Sequence, residues 1–157
     1  MSQSGVVVSL HVAATAAAPV QTVTSVEAVV GLGLQGDRYF NKVGTFSNDP
    51  GSGRHVTLIE SEAIEALERE YHVEIDAALA RRNVVTSGTA LNHLVGRRFT
   101  VGPVMLRGTR LCEPCAHLEK LTRPGTLRGL IHRGGLRAEI VSGGVIRVGD
   151  AIAPLAD

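Results

Sequence analysis

Short apolar runs, separated by glycine, proline and small polar residues, recur along the whole chain. "GVVVSLHV" and "QTVTSVEAVV" are rich in Val and Thr, and the second partly alternates apolar with polar positions, the period of a half-buried strand. "RHVTLIE", "RNVVTSG", "RRFTVG", "VMLRGTRL", "LRAEIV" and "GVIRVGD" repeat the theme. Val101-Gly102-Pro103 reads as the turn of one hairpin, and Ser142-Gly143-Gly144 as the turn of a second. Eighteen glycines among so many short strands favour a closed or strongly bent sheet over a doubly wound α/β fold. The expected fold is therefore mainly β, a curved or closed, barrel-like sheet with a few short helices.

One helix stands out, Ser61 to Tyr71. Ile64, Leu67 and Tyr71 fall on one of its faces, and Glu65 and Arg69 sit one turn apart on another. Ser61 suits an N-cap or first-turn position. "DAALARR", "CAHLEKL" and "TLRGLIH" suit shorter helices. The segment from Gly31 to Gly53 is polar and loop-like, and long for a structural connection. Long loops in compact domains are usually functional or disordered.

Composition narrows the function. A chain of 157 residues suggests one domain, residues 1–157. That length buries about 70% of the unfolded surface without help from disulfides or a structural metal. Sixteen basic against fifteen acidic residues leave a net charge of +1, which argues against general nucleic-acid binding. Aromatics make up only 3% and Trp is absent, so base-stacking platforms are not expected either. The N-terminal run is apolar, but the first Lys or Arg is Arg38, so a signal peptide's basic leader is missing. It reads as a strand followed by a loop. No segment approaches the roughly 18 apolar residues of a membrane span. The expectation is a cytoplasmic protein, off the membrane, whose thiols stay reduced.

Both cysteines sit in "LCEPCAHLEKL", as Cys112 and Cys115. With His117 and His132 they offer zinc-type ligands, although a structural zinc site normally needs a second closely spaced pair. Cys-Glu-Pro-Cys also has the form of a thioredoxin-like dithiol, which belongs near a βαβ pattern that this region lacks. Two packed structural thiols are a third reading. The surrounding Arg110, Glu113, Pro114 and His117 instead describe a polar turn ahead of a short helix. Helix N–H groups and nearby cations at such a turn would make a thiol a better nucleophile or metal ligand.

The second half of the chain, "ARRNVVTSGTALNHLVGRRFTVGPVMLRGTRLCEPCAHLEKL", resembles the MOSC domain, the family named after the C-terminal domain of molybdenum cofactor sulfurases. The family pattern runs Arg-x-Asn, a β segment, a Leu-x-x-Leu-x-Gly turn, a hairpin, and a strand that ends in a cysteine-containing turn. Here those parts are Arg81 and Asn83, "LNHLVG", "RFTVGPVMLRGTRL", and Cys112 with Cys115. The similarity continues upstream through "GLQGDRYF" and "RHVTLIESEAIEAL", and downstream through "HRGGLRAEIVSGGVIRVGD". It thus covers residues 20 to 152. No single motif is highly specific, but their order and spacing together are. A stand-alone domain is expected, without the family's companion barrel or a pyridoxal-phosphate sulfurase domain.

The resemblance implies a barrel-like fold that binds the pyranopterin molybdenum cofactor (molybdopterin). It also implies either a sulfur carrier or a molybdenum-dependent reductase of N-hydroxylated compounds. The family's metal-ligating cysteine matches Cys115, and a soft thiolate suits such a centre or a persulfide. Arg81 and Asn83 match the family's cofactor contacts, where a guanidinium fork suits anionic oxygens and an amide suits the pterin edge. From the residues alone, the bland alternative is a solvated cation and a turn amide. The start of the Ser61 helix would offer free N–H groups to a phosphate, the alternative being an ordinary capped helix. Asp37, Arg38, Arg54 and His55 flank the long loop, and two readings stand for them: closure over the site, or a surface turn with scattered charges. An electron-donor protein or a cysteine desulfurase-like sulfurase is the implied partner. The competing function is a non-enzymatic binding module whose cofactor site is unused.

Overall fold

The computed structural model describes residues 5–15, 18–41, 55–114 and 116–156. Strands β1 (Gly5–Val12), β5 (Val56–Glu60), β6 (Val84–Ser87), β7 (Arg98–Val101), β8 (Val104–Leu111), β9 (Leu136–Ser142) and β11 (Ala151–Pro154) form a closed barrel. Around the barrel the order is β11-β7-β8-β9-β5-β6-β1, and β1 pairs back onto β11 through Gly5 and Ile152. The fold class expected from the hydrophobic pattern is the one observed. All barrel neighbours are antiparallel except β5 and β6, which run parallel in the register Leu58↔Val84. A parallel pair needs a crossover, and residues 61–83 supply it.

The sequence pattern needs three corrections. "QTVTSVEAVV" is two strands in different sheets. β2 (Gln21–Val23) extends β1, whereas β3 (Ser25–Val29) joins a small sheet with β4 (Gly33–Leu34) and β10 (Gly144–Arg147). Ser142-Gly143-Gly144 is accordingly no hairpin: β9 ends there and the chain passes into β10, which pairs with β3 rather than β9, Gly144 opposite Ala28. Gly143 allows this, because a Cβ there would press on the Ala28 carbonyl at 2.6 Å. The third correction concerns β4, which lies inside the segment read as loop. By contrast, Gly102-Pro103 does turn a tight hairpin between Val101 and Val104, with Gly102 at φ +57°.

The barrel interior is filled by Leu10, Leu58, Val84, Phe99, Leu106, Leu136, Ile146 and Ile152, all inaccessible to solvent. A second apolar cluster lies outside it. Helices α1 (Ser61–Tyr71), α2 (Ala116–Leu121) and α3 (Thr126–Gly129) bring Leu67, Leu118 and the residue that follows α3, Leu130, against Ile59 and Val85. β5 and β6 are therefore buried on both faces, which explains their unbroken apolar runs. α1 has the expected bounds, but its buried side is Ala63, Ala66 and Leu67, while Tyr71 is 40% exposed. Its cap residue is Glu60, without a side-chain cap bond. The helix ends with His72 in the left-handed region, donating its N–H to the Glu68 carbonyl as Val73 donates to Leu67. Among the described residues no helix is long and apolar enough to cross a membrane.

Candidate functional site

The site is built around the entrance to β6. A 3-10 turn, Ala77–Ala80, ends on Arg81 in the left-handed region (φ 58°), and Arg81, Arg82 and Asn83 then make contacts in different directions. Arg81 Nη1 donates to the Ala18 carbonyl at 2.8 Å. Its guanidinium pKa is lowered from the usual value, first by burial and then by the neighbouring Arg38 charge, against Asp37 and Tyr39. Arg38 in turn lies over the Arg81 backbone, with Nη2 3.5 Å from the Arg81 carbonyl. Arg81, Ala18, Val20, Leu79 and Leu121 line a largely apolar depression of about 300 Å³.

Asp37 is fully buried and anchors the loop that carries Arg38. Its Oδ1 accepts the Ala13 N–H at 3.1 Å and an Arg38 Nη1 bond at 3.1 Å, and its Oδ2 accepts the Tyr39 N–H at 3.4 Å. The Arg38 guanidinium also lies 4.9 Å from the Tyr39 ring centroid. The first part of the long loop thus meets Arg81. Residues 42–54, including Arg54, lie outside the described residues.

Asn83 is committed inside the fold. Its Oδ1 accepts the Thr57 N–H at 3.0 Å and the Thr57 hydroxyl at 3.2 Å, and its Nδ2 donates to the His11 carbonyl at 3.1 Å. Only one amide donor is left for a ligand. Ser61 stands apart. It starts α1 at the far end of β5, four strand residues from Thr57, which is about 13 Å. Its hydroxyl donates to Glu62 Oε1 at 3.3 Å. The first turn of α1 lines another cavity of about 290 Å³, with Asn92, His132 and Arg133. The structure therefore brings Arg81 and Asp37 together, puts Asn83 beside them as a strut, and separates Ser61.

Cys115 also lies outside the described residues, as does the side chain of His117. The approach to Cys115 is described. Cys112 is buried, and its N–H donates to the Gly135 carbonyl at 2.7 Å. Glu113 accepts the His132 N–H at 2.9 Å and pairs with His132 Nδ1 at 3.0 Å. Among the described residues no group of three or more His, Cys, Asp or Glu side chains could hold a metal. The residue that sequence reading missed is Arg82. Its Nε donates to the Gly134 carbonyl at 2.7 Å and its Nη2 to the Cys112 carbonyl at 3.2 Å. It thereby joins the Arg-x-Asn segment to the cysteine turn. α2, about 9 Å long, runs from that turn to Leu121 beside Arg81. The one signal for Arg82 was its place between two residues already singled out.

A barrel of this topology, with the Arg-x-Asn segment tied to a cysteine turn, defines a class. The family model of the MOSC domain matches residues 44–153. The chain belongs to the MOSC domain family, a family associated with molybdenum-cofactor binding. Among solved structures it is similar to the YuaD protein from Bacillus subtilis (TM-score 0.80, 18% identity, covering 96% of this chain and 94% of that one). It is also similar to YiiM from Geobacillus stearothermophilus (TM-score 0.72, 16% identity, 97% and 75%) and to YiiM from Escherichia coli (0.71, 15%, 99% and 71%). At these identities the likeness speaks to fold. No curated protein matches the chain significantly.

Proposed function

We propose that this chain binds the pyranopterin molybdenum cofactor between Arg81 and the cysteine turn, with Cys115 as its thiolate ligand. The observation that carries this reading is the pair of consecutive arginines. Among the described residues neither Arg81 nor Arg82 pairs with a carboxylate, and both donate to main-chain carbonyls instead. Cations left in this way suit a ligand that carries a phosphate. The apolar depression beside Arg81 suits the flat pterin rings.

In this reading Arg81 holds anionic oxygens, and Arg38 adds charge and shields that contact from solvent. Asp37 keeps Arg38 in place. Asn83 works through the fold, by fixing where β6 begins, and has one donor to spare. The bound group would supply a metal centre able to take up oxygen or sulfur. Cys115 would either ligate that centre, for reduction of N-hydroxylated compounds, or carry a persulfide to it. The first role needs an electron-donor protein, the second a cysteine desulfurase-like partner.

The test is to express the chain in a host that makes the cofactor and to measure the pterin released from purified wild type and Arg81→Ala. Pterin in the wild type and a loss of about tenfold in the variant are expected, the scale of one hydrogen bond to a charged group. Equal pterin in both would refute the assignment of Arg81.

A further inference from the structure

A guanidinium taken out of water is costly unless an opposite charge or hydrogen bonds replace the solvent. Arg82 is only 9% exposed. Among the described residues no carboxylate pairs with it, and its partners are the carbonyls of Gly134 and Cys112. Two carbonyls use two of its roughly five donors and cancel none of its charge. The carboxylate next along the turn, Glu113, is engaged by His132.

The two carbonyls belong to turns that lie against each other. Besides the bond from the Cys112 N–H to the Gly135 carbonyl, a Cβ on Gly134 would collide with the Cys112 carbonyl and the Pro114 ring. Arg82 closes this contact from a third segment of chain. Hydrogen bonds from a charged donor are the strong ones, so losing them would free the turn locally.

We infer that Arg82 is the positioning residue of the site. It fixes the shape of the turn Cys112–Pro114 and supplies a positive charge, paired by no carboxylate among the described residues, to an anionic group bound there. The second duty rests on the cofactor reading above; the first stands without it.

Three variants separate the duties. Arg82→Met keeps the volume and loses charge and donors. Arg82→Lys keeps the charge but cannot span both carbonyls. A core variant away from the turn, Val101→Ala, serves as a control at matched melting temperature. The first readout is the rate at which N-ethylmaleimide labels Cys112 in the native protein, located by peptide mass spectrometry. Labelling about tenfold faster in Arg82→Met than in the control is expected, the weight of one charge-assisted hydrogen bond. Equal rates in the two would overturn the clamp.

The second readout is molybdenum bound after expression in a cofactor-making host. A loss of about tenfold in Arg82→Met, with Arg82→Lys within about threefold of wild type, is expected for a charge contact. Loss in Arg82→Lys as complete as in Arg82→Met would overturn the charge duty. Absence of molybdenum from the wild type as well would remove the cofactor reading and with it the charge duty. The clamp would then be decided by the labelling alone.

Discussion

Asn83 and Thr57 hold each other in both directions: Asn83 Oδ1 accepts from the Thr57 N–H and hydroxyl, and Asn83 N–H donates to the Thr57 hydroxyl at 3.1 Å. This lock sits where the parallel pair β5–β6 begins, and Nδ2 extends it to β1 through His11. Asn83→Ala would leave several buried groups without partners. A stability loss of about 3 kcal/mol or more is expected in urea unfolding, from unsatisfied groups at about 1–3 kcal/mol each. A variant that loses ligand binding with unchanged stability would show that Asn83 serves the ligand directly.

The way this segment reads in sequence shows what a pattern can and cannot convey. β1 and β5 through β9 were visible because buried strands write their faces as apolar runs, and α1 because its polar side is continuous. β11 was missed. "AIAP" is short and ends in a proline that demotes a strand, yet it closes the barrel by pairing both β1 and β7. The passage of β9 into β10 was misread because a Gly-Gly pair marks a bend without saying which strand comes next. At the site, Arg81 and Asn83 were legible as a motif. Their division of labour was not, since the hydrogen bonds that commit Asn83 come from residues 26 and 72 positions away. Arg82 was invisible for the same reason: its partners lie 52 and 30 positions away.

His11 gives stability a pH dependence of definite sign. Its ring is buried, 2.7 Å from the Ser9 hydroxyl and 3.0 Å from that of Thr22, and burial lowers its pKa below 6.5. Above 6.5 the ring is neutral in both states and costs nothing. As pH falls through 6.5, the unfolded chain takes up a proton that the folded chain resists, so stability falls until the folded pKa is passed. His55 is lowered by burial too, against the nearby Glu139, and acts in the same direction. Half-buried Glu60 is raised by burial above 4.5, so its own contribution falls as pH rises above 4.5. Urea midpoints from pH 7.5 down to about 5 should decline less steeply in His11→Gln than in the wild type. Parallel curves would mean that His11 is not a source of the slope.

Two glycines at positive φ separate close approach from backbone strain. Gly135 (φ +113°) lies beside the cysteine turn, where a Cβ would strike the Leu58 carbonyl, whereas Gly36 (φ +91°) has open space around it. Gly36→Ala should cost about 1–2 kcal/mol, the strain of the left-handed region alone. Gly135→Ala should cost distinctly more, because overpacking adds about 1–3 kcal/mol. Thermal unfolding of the two variants side by side tests this. Equal losses would show that the chain at Gly135 yields without cost.

The most direct test of the central claim is the molar ratio of molybdenum to protein, after expression in a cofactor-making host, for wild type and Cys115→Ser. Wild type should carry metal at a ratio approaching one to one, as a single tight site requires. Cys115→Ser should lose nearly all of it with its melting temperature nearly unchanged. Molybdenum absent from the wild type, or retained in full by Cys115→Ser, would contradict the assignment of this thiol as the ligand.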